Sequence, residues 1–162
     1  MSALAFTAIE NRDDAVAVAV AIIAATRRGL WIYSRELDPG LFDAPEILEA
    51  LRRFGTAGRG NEARILLQDA AAPHRAHAPL LALAQRLPSV FQFREVADPV
   101  DHAYPSAFLA NDASGFYFRG LGHRFDGEAD LHAPGRSRQL RAGFERVWER
   151  SRPVSEYRSL GI

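Results

Sequence analysis

Leu30-Trp31-Ile32-Tyr33-Ser34 is a short, almost wholly apolar run, closed behind by Arg27-Arg28-Gly29 and ahead by the turn signal Leu37-Asp38-Pro39-Gly40. Its length and its aromatic and β-branched content read as a buried strand. Before it, Glu10 to Arg28 reads as a helix that Asn11 or Asp13 can cap, with acidic residues in its first turn. The apolar residues of that helix go nearly all round, which predicts burial on more than one side. After the strand, Asp43 caps a helix with Pro45 in its first turn, and Ile47, Leu48, Leu51 and Phe54 form its apolar stripe before Gly55. Arg64 to Asp69 is a second strand, and Ala78 to Leu87 a third helix with Leu80, Leu83, Ala84 and Leu87 on one face. Ser89 to Val96 alternates as a third strand, with Val90, Gln92 and Arg94 on one side and Phe91, Phe93 and Glu95 on the other. An α-β-α-β-α-β order favours a layered α/β sheet with parallel strands and right-handed crossovers.

The rest of the chain changes character. Ser106 to Asn111 and Gly115 to Arg119 are apolar runs on either side of Asp112-Ala113-Ser114-Gly115, a hairpin signal. Glu128 to His132 reads as a further short strand. Arg136 to Arg150 is a final helix whose Leu140, Phe144, Val147 and Trp148 share one face. The fold class is therefore α/β, a mixed, largely parallel sheet flanked by helices, with residues 1–162 expected to form a single domain.

Composition narrows the chemistry. The 162 residues balance 20 basic against 20 acidic side chains, and every basic one is Arg. Without Lys there is no Schiff-base chemistry, no P-loop lysine and no His-Lys catalytic pair. Without Cys there are no thiol nucleophiles, disulfides or cysteine-ligated zinc. Zero net charge argues against a general nucleic-acid coat, although Arg136 to Arg152 holds six Arg against Glu145 and Glu149. The most apolar run, Ala15 to Ala25, is eleven residues long and follows Asp13-Asp14, so neither a membrane span nor a secretory signal is expected. A cytoplasmic location follows as an expectation, and the Arg-for-Lys, Ala-rich usage suits a GC-rich bacterial genome.

Local motifs are sparse. Gly55-Thr56-Ala57-Gly58-Arg59-Gly60 has the wrong spacing and follows a helix, whereas a dinucleotide loop joins a strand to a helix N-terminus. His74 and His77 lie three apart, but no carboxylate is spaced to complete a metal site. No cofactor and no metal are indicated. His102, His123 and His132 read as loop histidines, and no Ser sits in a nucleophile-elbow context. Ser34, Arg35, Asp69 and the Asp98–Asp101 segment fall at strand ends, where ligands of open α/β sheets bind.

In order, the strand Leu30–Ser34, the strand Ala63–Asp69, the strand Val90–Arg94, the hairpin Ser106–Arg119 and the terminal Phe144-Glu145-Arg146-Val147-Trp148 resemble one half of a phospholipase D-like superfamily member. The resemblance covers about the whole chain and is nearest to short bacterial domains of that superfamily. Its chemistry rests on H-x-K-x4-D, with one His as nucleophile, a second as general acid and two Lys on the phosphoryl oxygens. Anchored on Asp112, the pattern places its His at Pro105 and its Lys at Ala107. Glu128 corresponds to the acidic residue that orients the His, and Arg119-Gly120 replaces the Gly-Ser that follows the motif. On a continuous strand, His102 stands three residues too early, on the wrong face and about 10 Å away.

Two function classes follow. The first is a non-catalytic binding or scaffolding module, a homodimer in which Arg94, Arg119 and Arg124 line a cleft with Asp112, His123 and Glu128 and grip a phosphate-bearing small molecule or nucleic-acid backbone. The second is a phosphodiesterase-type enzyme with displaced catalytic groups, His123 or His102. The missing Lys and nucleophile favour the first. A regulatory role, with Tyr157, Leu160 and Ile162 docking on a neighbour, is a third reading.

Overall fold

The computed structural model describes residues 7–159. The chain runs β1 (Thr7–Ile9), α1 (Arg12–Ala25), β2 (Gly29–Ser34), α2 (Pro45–Thr56), β3 (Glu62–Leu67), α3 (Ala71–Arg75), α4 (Pro79–Arg86), β4 (Phe91–Glu95) and α5 (Pro99–His102). There follow β5 (Ala107–Asn111), β6 (Phe116–Arg119), β7 (Gly127–Asp130), α6 (Pro134–Arg150), β8 (Arg152–Pro153) and α7 (Ser155–Ser159). All eight strands form one open sheet in the order β1-β7-β6-β5-β2-β3-β4-β8. The mixed α/β sheet expected from the sequence is observed. Its parallel part is confined to β2, β3 and β4; the other pairings are antiparallel. The seam lies where β2 pairs with β5.

Alternation along the strands divides the core into two layers. Leu30, Ile32, Ile65, Leu67, Phe91, Leu109 and Tyr117 pack under α1, α2 and α4. On the opposite face Trp31, Tyr33, Leu66, Phe108 and Phe116 meet Leu140, Phe144 and Trp148 of α6. The stripe predicted for α6 is therefore the one that docks.

Helix α1 begins where Asn11 accepts a hydrogen bond from the Asp14 amide at 2.9 Å. It buries Val16, Val18, Ala19, Ile22 and Ile23 but exposes Ala17, Ala24 and Ala25. Burial all round does not occur, because alanine counts as apolar yet costs little at the surface of a helix.

Asn111, buried at the hairpin, donates to the Ile22 carbonyl at 2.9 Å and accepts from the Ala113 and Gly115 amides at 3.0 and 2.8 Å. That closes the β5–β6 turn and ties it to α1. Gly127 opens β7 where the chain crosses the β6 backbone. A Cβ there would lie 2.1 Å from the Phe118 carbonyl oxygen, so no larger residue fits. Tyr157 docks on its own chain, donating to the Ala70 carbonyl at 2.7 Å and lying edge-on to Phe93. Leu160 and Ile162 lie outside the described residues. Among the described residues no helix is long and apolar enough to cross a membrane.

Candidate functional site

The base of the β5–β6 hairpin is where the resemblance places the superfamily's catalytic side chains. Pro105 precedes β5, and Ala107, its first residue, stands opposite Arg119 in the antiparallel register. Facing residues of an antiparallel pair project to the same side of the sheet. The long Arg119 side chain thus spreads over the space beside Ala107, on the α1 face.

Its two terminal nitrogens are committed, while Nε is buried without a hydrogen-bond partner among the described residues. Nη2 donates to Asp38 Oδ2 at 2.5 Å, and Nη1 donates to the Gly122 carbonyl at 3.0 Å and more weakly to that of Arg124 at 3.4 Å. The Arg119 side chain is only 4% exposed and that of Asp38 7%. Asp38 Oδ2 also accepts from the Ser34 hydroxyl, whose oxygen in turn accepts from the Leu37 amide. Leu37 and Asp38 sit at φ 63° and 21°, a left-handed stretch that turns the Asp38 carboxylate back beneath the sheet end. Tyr117, two residues before Arg119 on the same face, donates to the Phe125 carbonyl, and burial pushes its phenol pKa well above the ordinary value. Over the ion pair lies a small cavity of about 130 Å³ walled by Arg35, Pro39, His123 and Phe125. Arg35 and His123 are exposed at its mouth.

The residues expected to share one cleft are dispersed. Arg94 projects to the α6 face, where it donates to the Trp148 carbonyl at 3.0 Å and lies 5.0 Å over the Trp148 ring. It is four strands from Arg119, about 19 Å at the usual strand spacing, and on the other side of the sheet. Asp112 sits at the hairpin tip, the end opposite Arg119. Its carboxylate accepts from the amides of Arg27, Arg28 and Gly29 at 2.9, 2.9 and 3.1 Å. Glu128 on β7 faces Phe118, hence the α6 side. Arg124 is exposed and pairs with Asp126 at 2.7 Å, which holds that carboxyl below its ordinary range. The structure therefore brings together Arg119, His123 and the Arg124 carbonyl, and separates Arg94, Asp112 and Glu128 from them. The physical reason is register: each strand's alternation is visible locally, but pairing decides which face each parity takes.

His102 also needs correction. It ends the short helix α5 and does not lie on an extension of β5, so the strand-based offset from the catalytic position does not hold. Asp38, read from the sequence only as part of a turn, is the partner that sequence reasoning missed. The available signal was a lone Arg closing the apolar run Phe116-Tyr117-Phe118, since a charge there needs a buried counter-charge. Among the described residues no three His, Asp or Glu side chains are grouped to hold a metal.

A family model described as a domain of unknown function, DUF7931, matches residues 11–160. No curated protein matches the chain. Among solved structures, the chain is similar to TrmBL2, an archaeal chromatin protein whose structure shows a novel mode of DNA binding, with a TM-score of 0.63 at 12% identity over 95% of this chain. It spans only 56% of that protein's length. It is also similar to Nuc, a phospholipase D family member from Salmonella typhimurium, with a TM-score of 0.68, 11% identity, and 93% of this chain covered against 97% of that one. NucT from Helicobacter pylori gives a TM-score of 0.64 at 12% identity, covering 93% of this chain and 98% of its own. The expected phospholipase D-like fold is therefore observed.

Proposed function

The chain belongs to the DUF7931 domain family, and on its phospholipase D-like fold we propose that it works as a non-catalytic binding or scaffolding module, the whole chain acting as one domain. The observation that supports this most directly is that Arg119, paired opposite Ala107, is locked to Asp38, at the place where the resemblance puts Pro105 and Ala107 in the positions of the superfamily's His and Lys. Pro and Ala offer neither a nucleophile nor a proton, and a guanidinium that is already neutralised cannot grip a transferring phosphoryl group.

The ligand class that suits this end of the sheet is a small phosphate-bearing group, or the phosphate of a nucleic-acid backbone. It would be met by the exposed Arg35 and His123 at the mouth of the small cavity, with the Arg119–Asp38 pair as a fixed floor. Arg94, Asp112 and Glu128 have no part in it. A second copy of the chain is the partner that the resemblance implies.

Hydrolysis of bis-p-nitrophenyl phosphate is the decisive assay. Turnover no faster than buffer is expected; turnover that vanishes in His123→Ala would overturn the non-catalytic reading. For the ligand, inorganic phosphate followed by calorimetry should bind several-fold more weakly to Arg35→Gln. An oligonucleotide that binds weakly and with little salt dependence would exclude a phosphate-backbone partner.

A further inference from the structure

A second cavity lies on the other face of the sheet, and nothing in the reading above uses it. It measures about 530 Å³, within the usual range for small-molecule sites. It runs between α5 with its following loop and the stretch of α6 from Arg136 to Val147. We propose that this groove binds a planar aromatic anion, such as an aromatic carboxylate.

The walls of the groove are aromatic on the sheet side. Tyr33 and Phe108 are stacked at 5.6 Å with 25° between their planes, and Tyr104 meets Tyr33 edge-on at 5.1 Å. Together they form an aromatic floor at the seam of the sheet. Val100, one of two large apolar side chains exposed among the described residues, stands on the rim at 79% exposure. On the α6 wall Gly143 leaves room for a guest. A Cβ built there meets nothing closer than Arg146 Nη2 at 3.8 Å. A flat slot with a ring-lined floor suits offset or edge-on stacking of a planar guest.

The lip of the groove is positively charged. The one carboxylate among the described lining residues, Asp101, is held in a two-pronged pair with Arg150, with contacts of 2.6 and 3.1 Å, and is thereby neutralised. Two further arginines line the groove. Arg136 lies 4.7 Å over Phe118 and donates to Gln139 at 2.8 Å. Arg146 is exposed and forms no ion pair among the described residues. An apolar slot with two uncompensated guanidinium groups at its lip is complementary to a guest that is flat at one end and anionic at the other. Binding in this groove is independent of whether the hairpin base is catalytic.

The test compares 2-naphthoate with its neutral analogue 2-naphthamide by isothermal titration calorimetry. Naphthoate is expected to bind at least tenfold tighter, and Arg146→Gln to bring it close to the amide. Gly143→Leu fills the slot and should abolish naphthoate binding while leaving the melting temperature unchanged or raised, since glycine disfavours helix. The proposal fails if wild-type protein takes up no naphthoate, if acid and amide titrate alike, or if a folded Gly143→Leu variant binds naphthoate as before. Phosphate binding at Arg35 is scored separately, so the two readings stand or fall apart.

Discussion

The two ends of the β5–β6 hairpin handle buried polarity in opposite ways. At the tip, the Asp112 carboxylate is answered by three main-chain amides of the α1–β2 junction, and Asn111 by main-chain groups on two elements. At the base, the Arg119 guanidinium is answered mainly by a single carboxylate arriving on a left-handed turn. Backbone amides carry no net charge, so deleting an acid from the tip leaves groups that water can serve. The base has a true ion pair inside the protein, and removing one partner strands the other. The resemblance attaches catalytic chemistry to the base and only a motif Asp to the tip. In this chain the motif Asp serves as an architectural tie, and the base holds a closed ion pair.

The largest expected effect comes from breaking the base pair on one side. Arg119→Leu should cost about 3–5 kcal/mol in chemical denaturation, because Asp38 is left charged and nearly buried. Adding Asp38→Asn should recover most of that loss, since the amide still accepts from Ser34 and no charge is stranded. Failure of the double variant to recover would mean that the pair's geometry, and not its charge, holds the β2–α2 loop.

At the tip, Asp112→Ala should cost about 1.5–3 kcal/mol, the range for hydrogen bonds to a charged acceptor. Amide exchange should accelerate first at Arg27, Arg28 and Gly29. An equal or larger loss than at the base would erase the contrast drawn above.

A pH measurement extends the comparison to the whole sheet. All four tyrosines, Tyr33, Tyr104, Tyr117 and Tyr157, have phenol pKa values raised chiefly by burial. A proton bound more tightly in the folded state contributes stability below the unfolded pKa of about 10 and is lost as pH climbs past it. Phenolate absorbance should therefore lag behind free tyrosine and rise together with alkaline unfolding. A full step near pH 10 in still-folded protein would contradict this.

The smallest effect is expected on the surface of α2, where Arg52 and Arg53 hold Glu49 down to a pKa of about 2. Its contribution is present above the ordinary carboxylate range and fades as pH falls toward 2. Because the pair is exposed, Glu49→Gln should move the melting temperature less than any variant at the hairpin.

Much of this architecture could be read in advance. Periodicity exposed the three parallel strands, the hairpin and the docking stripe of α6. It did not expose β1 or β8, which have three and two residues and no alternation of their own to detect. They exist because a neighbouring strand offers them hydrogen bonds. The one-turn helices α3 and α5 were lost for the same reason. The site was legible as a set of residue types and not as a place. Arg94 lies near the end of β4 and Arg119 closes β6, and only the order β6-β5-β2-β3-β4 and its register reveal that they face away from each other.

The two-layered core also makes the protein a one-sided optical reporter. Its only two indoles, Trp31 and Trp148, both belong to the layer under α6. The Trp31 Nε1–H donates to Glu145, and the Trp148 ring has the guanidinium groups of Arg64 and Arg94 at 5.1 and 5.0 Å from its centroid. Intrinsic fluorescence will follow the docking of α6 and respond little to α1 and α2. Circular dichroism sees both layers. Any denaturant range in which the two signals separate therefore marks the point at which the layers cease to unfold as one.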